Sequence, residues 1–149
     1  MARFRLTKRF DFEMAHALSG YDGLCKNIHG HSYKLDVTLM GEPCQDVYSP
    51  KLGMVMDFGD MKRLVQNAIT DQFNHALVLS YQTPSDLISM LQQNYDRIVV
   101  VPYQPTTENL LTDFVQRIQS KLPSTVTLFS LRLYESENSY AEWFASDNQ

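Results

Sequence analysis

The chain reads as an α+β domain, helices covering one face of an antiparallel sheet, and three observations carry that reading. Two long segments alternate apolar and polar residues with a period of two, and two others repeat apolar residues at helical spacing. The elements follow in the order strand, strand, helix, helix, strand, strand, with no internal repeat, low-complexity stretch or linker between them. At 149 residues, positions 1–149 are expected to form a single domain with a real core.

The first strand is expected over Phe4–His16, with Phe12, Met14 and His16 on one face. The second runs His29–Gly41, with His29, His31, Tyr33, Leu35, Val37 and Leu39 sharing a face, and Gly41, Glu42 and Pro43 break it. Gly53–Met56 adds a short extended piece. Asp57 is placed to cap a helix from about Gly59 to Gln72, whose buried side is Met61, Leu64, Val65, Ala68, Ile69 and Phe73. Ser80–Asn94 reads as an excursion in which Pro84 and Ser85 start a short helix with Leu87, Ile88 and Leu91 on one side. Arg97–Tyr103 is β-rich, and Pro102 restricts it to an edge or a strand end.

Thr106 or Thr107 then caps a helix carrying Leu110, Leu111, Phe114, Val115, Ile118 and Leu122, with Glu108 favourably placed in its first turn and Pro123 stopping it. Val126–Glu135 alternates again, with Thr127, Phe129, Leu131, Leu133 and Glu135 assigned to one face. Ser136–Ser139 is a turn before a last strand, Tyr140–Phe144. The second face of the sheet is mixed and its edges are open, so closure through self-association is expected.

Composition narrows the function classes. A formal net charge of −4 and the lack of any Lys/Arg-rich run leave no basic footprint for nucleic acid, so a small molecule is the expected ligand. No apolar run approaches the roughly 18 residues of a membrane span, and the start MARFRLTKRF lacks the apolar region of a signal peptide, which points to a cytoplasmic protein with no membrane partner. The two cysteines, Cys25 and Cys44, are too few for a disulfide framework.

Three of the four histidines carry the chemistry. His16 closes the first strand, and His29 and His31 open the second. If the 17–28 loop folds these strands into an antiparallel pair, all three imidazoles meet at one end. Three neutral nitrogens with a fourth position open describe a catalytic zinc site better than a structural one. Cys25, four residues before His29 and flanked by Lys26, then has a thiolate favoured by a nearby cation and suited to act as a base.

The segments Cys25-x-x-x-His29-Gly30-His31-x-Tyr33 and Phe12-x-x-Ala15-His16 together form a specific double signature. On these motifs the chain resembles the 6-pyruvoyltetrahydropterin synthase superfamily. The four-residue step from Cys25 to His29 is similar to its bacterial branch, the 6-carboxytetrahydropterin synthases of queuosine biosynthesis. The likeness extends to Gly53–Phe58, Pro105–Asn109 and Leu133–Glu135.

The resemblance implies a tunnelling-type (T-fold) domain with a four-stranded antiparallel sheet and two main helices in the order ββααββ. Three such sheets would form a twelve-stranded barrel, and two barrels a homohexamer with active sites at subunit interfaces. It implies zinc held by His16, His29 and His31, with Cys25 and His75 as proton-transferring groups from adjacent subunits. The pterin would sit on Glu135, with Thr106, Thr107 and Glu108 the next candidates for that pocket. The implied reaction converts 7,8-dihydroneopterin triphosphate to 6-carboxytetrahydropterin, releasing acetaldehyde and triphosphate. The 6-pyruvoyl product is the alternative. At one position the chain departs from the family's Asp-His pair. It has Asn74 before His75, and an amide does not stabilise an imidazolium as a carboxylate does, which leaves a catalytically weakened pterin- or zinc-binding homologue as a further alternative.

Overall fold

The computed structural model describes residues 2–149. The strands are β1 (Phe4–His16), β2 (His29–Gly41), β3 (Ala76–Ser80), β4 (Ile98–Val101), β5 (Val126–Ser136) and β6 (Ser139–Phe144). The helices are α1 (Phe58–Val65), α2 (Asp71–Phe73), α3 (Ser85–Asn94) and α4 (Thr107–Gln119), with a π-helical turn over Gln66–Thr70 joining the first two. All six strands form one sheet in the order β4-β3-β1-β2-β5-β6.

The long hairpin forms as the alternation requires. β1 and β2 pair antiparallel from Phe4↔Gly41 to His16↔His29 without a register break. Phe10, Phe12 and Met14 from one strand and Tyr33, Leu35, Val37 and Leu39 from the other lie buried under α1, the π-turn, α2 and α4, which contribute Met61, Val65, Ile69, Phe73, Leu110, Phe114 and Ile118. Each such side chain stabilises the fold by roughly 1.5–3 kcal/mol. Because the period is two, this packing fixes which way His16, His29 and His31 face.

Five expectations need correction. The sheet is six-stranded and mixed, not four-stranded and antiparallel, because β3 and β4 add to the β1 edge in parallel, joined by α3. The five-residue run Ala76–Ser80 is nearly all buried, and a strand covered on both faces shows no alternation to read. The order ββααββ therefore becomes one with a β-α-β insertion between the main helices. The first main helix keeps Asp57 as its cap, its carboxylate accepting from Gly59 N at 2.6 Å, but is interrupted by the π-turn.

β5 does not present Thr127 and Phe129 on the face of Leu131, Leu133 and Glu135. Its pairing with β2 shifts between Thr38↔Ser130 and Leu39↔Leu128, leaving Phe129 as an extra residue. Val126 and Leu128 are thereby buried instead. Gly53–Met56 is not a strand. Its backbone is anchored by Cys44 N donating to Met54 O and Gly53 N to Cys44 O, both at 2.9 Å. No helix among the described residues is long and apolar enough to cross a membrane.

Candidate metal centre

His16 and His29 are directly opposite in the hairpin, and His31 lies opposite Met14 two residues deeper. Their rings converge, with centroids 4.6 Å apart for His16 and His29, 4.9 Å for His29 and His31, and 5.3 Å for His16 and His31. Glu135 reaches the same point from β5. One ligand atom from each of the four residues lies within 4.8 Å of every other, a cluster able to hold a metal ion.

Two carbonyls fix the ring orientations. His16 Nδ1 donates to Pro105 O and His29 Nδ1 to Asn27 O, each at 2.7 Å. A carbonyl only accepts, so both Nδ1 atoms carry protons, and the neutral tautomer with that arrangement turns a bare Nε2 lone pair inward from each ring. Those two Nε2 atoms face each other at 3.1 Å. Such a pair repels unless a cation lies between them, and tetrahedral zinc with Zn–N near 2.0–2.1 Å sets neighbouring nitrogens about 3.3 Å apart. Burial of His16, which is 1 % exposed, pushes its pKa down, so a shared proton is a poor substitute for a metal.

The remaining donors fit the same account. Burial also lowers the His31 pKa, against the pull of Glu135. His31 Nε2 lies 2.8 Å from Glu135 Oε1, but not in hydrogen-bonding alignment, so this buried nitrogen has no hydrogen-bonding partner. Glu135 Oε2 accepts from Thr107 Oγ1 at 2.6 Å. Tyr33, stacked on Phe12 and next to His31, has a fully buried hydroxyl that is also unpartnered, and burial raises its pKa. Imidazole and carboxylate donors together suit zinc and several other divalent transition metals.

The other expected site residues are placed as follows. Thr106 is the N-cap of α4, accepting from Asn109 N at 3.2 Å, whereas Thr107, the first helical residue, turns to Glu135. Glu108 is exposed in the first turn. Cys25 lies half-buried in a 3-10 turn (Leu24–Lys26) inside the 17–28 loop, its carbonyl bonded by Leu18 N at 3.0 Å. His75 and Asn74 are not part of the histidine cluster. His75 is exposed, on a shallow depression of about 390 Å³ that Glu13, Gly30, His31 and Ser32 also line. Asn74 Oδ1 accepts from Glu13 N at 2.9 Å.

Sequence reasoning missed Gln104 and the carbonyls of Asn27 and Pro105. Gln104 accepts from Ser19 N at 3.2 Å and donates to Ser19 O at 2.8 Å, pinning the Cys25 loop to the segment that orients His16. A backbone carbonyl leaves no mark in a sequence. The long-range partner of Gln104 leaves none either.

Residues 5–146 match the family model described as 6-pyruvoyl tetrahydropterin synthase. The chain belongs to that family. It is 35% identical over 144 residues to a 6-carboxy-5,6,7,8-tetrahydropterin synthase of Haemophilus influenzae, covering 94% of this chain and 98% of the relative. A Rickettsia typhi protein of the same name is 33% identical over 93% of this chain and 98% of its own. With such relatives, this family member is a lyase-type enzyme. Two solved structures share the fold. An uncharacterized Wolinella succinogenes protein matches with a TM-score of 0.79 at 20% identity, covering 97% of this chain and 99% of the other. The Caenorhabditis elegans 6-pyruvoyl tetrahydropterin synthase matches with a TM-score of 0.67 at 21% identity, covering 97% of each chain.

Proposed function

We propose that this protein is a zinc-dependent lyase that converts 7,8-dihydroneopterin triphosphate and water to 6-carboxy-5,6,7,8-tetrahydropterin, with loss of acetaldehyde and triphosphate. The observation that carries this reading is the inward-facing His16 and His29 Nε2 pair beside an unpartnered His31 Nε2, in a family member whose bacterial relatives bear the name of that synthase. His16, His29 and His31 hold the metal. A zinc ion there supplies Lewis acidity toward the side-chain oxygens of the substrate, easing proton loss from the adjacent carbon.

The remaining steps belong to the chain's own residues. Cys25 takes a carbon-bound proton, and His75 relays protons as the triphosphate departs. Glu135 holds the pterin by two parallel hydrogen bonds, from the ring amino group and ring N3, while Thr107 keeps its carboxylate oriented. Because His75 lies outside the histidine cluster of its own chain, it serves the cluster of an adjacent subunit in a homohexamer. Two unpaired thiols suit a cytoplasmic enzyme, and its place is in the 7-deazapurine (queuosine) route.

One observation favours a second reading. Glu135 Oε1 stands inside the ligand envelope at 2.8 Å from His31 Nε2, so a carboxylate closing the shell gives a metal- and pterin-binding homologue with weak turnover. Incubating the zinc-loaded protein with 7,8-dihydroneopterin triphosphate and weighing the product separates these. The 6-carboxy mass with acetaldehyde supports the proposal, the 6-pyruvoyl mass moves the chain to the sister reaction, and pterin binding without product establishes the second reading.

A further inference from the structure

Among the described residues, His75 is the only one besides glycines with a left-handed backbone, at φ +62°. L side chains avoid that region because Cβ crowds the following carbonyl. Glycine fits such a turn freely, so a histidine there is held against its preference, a pattern that marks functional positions.

The forces that hold it are visible. Asn74 N donates to Thr70 O at 2.9 Å, His75 N donates to Glu13 O at 2.6 Å, and Glu13 N returns a bond to Asn74 Oδ1 at 2.9 Å. The free carbonyls behind it, at the end of α2, are then collected by a single side chain. Arg97 Nε donates to Asn74 O at 2.8 Å, and its Nη2 donates to Asp71 O at 2.6 Å and Gln72 O at 3.0 Å. The Arg97 carbonyl accepts from Leu77 N at 2.9 Å, which fixes the chain on the far side of His75 as well. Helix C-terminal carbonyls lack intrahelical donors and favour a cation. A planar guanidinium spans three of them, whereas an ammonium is a point charge.

We propose that Arg97 is a positioning residue, whose guanidinium locks the 71–75 turn and so sets where the His75 imidazole projects for proton transfer. The inference rests on the relay role of His75 proposed above. It gives the β3-α3-β4 insertion a function: Arg97 lies immediately before β4, and β4 pairs with β3 from Leu77↔Ile98 onward.

The test uses the full-length, zinc-loaded protein and its R97Q, R97K, H75G and R97Q/H75G variants, with steady-state kinetics on 7,8-dihydroneopterin triphosphate and 1H–15N spectra of the histidines. R97Q is expected to lower kcat by about tenfold to a hundredfold with KM little changed, as a misplaced catalytic group does. R97K, which keeps the charge and safeguards folding, should recover only a small part of the loss. In the H75G background R97Q should lower kcat no further, because the group it positions is gone. His75 signals should shift in R97Q while those of His16, His29 and His31 stay in place. A wild-type kcat in R97Q, or the same fractional loss with and without His75, overturns the proposal. If H75G alone keeps full turnover, it is the relay reading that fails, and unmoved His75 signals in R97Q then dispose of the positioning role separately.

Discussion

At residue scale, the Tyr33 hydroxyl is the clearest local imbalance. It is fully buried, unpartnered and next to His31. A buried hydroxyl without a partner costs on the order of 1–3 kcal/mol, so Tyr33→Phe is expected to leave the metal-free protein as stable or more stable. Urea denaturation measures this, and a loss above about 1 kcal/mol means that the hydroxyl has a partner after all. The histidines give a pH dependence whose sign follows from burial. The folded protein holds His16 and His31 below their ordinary value of 6.5. Above 6.5 both states keep these rings neutral and their stability contribution is fully present. As pH falls from 6.5 through the lowered folded values, the unfolded chain takes up protons first and stability is lost. Metal-free protein should therefore show a falling thermal midpoint below about pH 6.5, and replacing His16 with an apolar residue of similar volume should flatten that slope.

At the scale of elements, two adjacent threonines divide the labour at the start of α4. Thr106 caps the helix and Thr107 orients Glu135, so Thr106→Ala should cost about 1 kcal/mol of stability with KM unchanged. Thr107→Ala should leave the helix in place but raise the KM for the pterin triphosphate. Thermal midpoints and steady-state kinetics on the two variants check this, and equal effects would show that both residues merely cap. The sequence could offer both as candidates, because Ser and Thr before an apolar helical pattern are cap signals, but a cap signal cannot say which hydroxyl turns away. The same boundary runs through the sheet. Period-two alternation placed β1 and β2 to the residue and brought His16 to His29, since one slip would expose the whole core face. It failed at Phe129, where a bulge adds a residue without any composition cue, and at Ala76–Ser80, where double-sided burial erases the alternation. What the sequence made legible was chemistry borne by side chains on regular elements; what it hid was the supporting shell of backbone carbonyls and the long reach of Gln104 and Arg97.

At the scale of the whole molecule, the sheet face away from the helices is not a simple solvated surface. Arg9 donates two hydrogen bonds to Asp36, Nε to Oδ1 at 2.7 Å and Nη2 to Oδ2 at 3.0 Å, and lies over Tyr134, while Arg132 pairs with Glu142 and lies over Tyr140. Arg5 stands 3.8 Å above Phe129. These interlocked cations and rings give the face a defined shape. In the insertion helix α3 no residue is fully buried, and Ile88 and Leu91 are half-buried. Cys25 and His75 come from different parts of the fold, one in the hairpin loop and one beside β1 at the start of β3, and shared sites between subunits would reconcile them. Subunit mixing tests that arrangement directly. Cys25→Ala and His75→Ala are each expected to keep the metal and to lose turnover by about a hundredfold or more, the usual contribution of a proton-transferring group. If the two groups of one site come from different chains, coexpressing the two variants yields mixed oligomers in which some sites carry both intact residues, and turnover returns. If both groups come from one chain, every site in every mixture lacks one of them, and the coexpressed protein stays as inactive as its parents. Recovery of activity on mixing, with its dependence on the ratio of the two variants, would establish that the catalytic unit is the assembly and not the single chain.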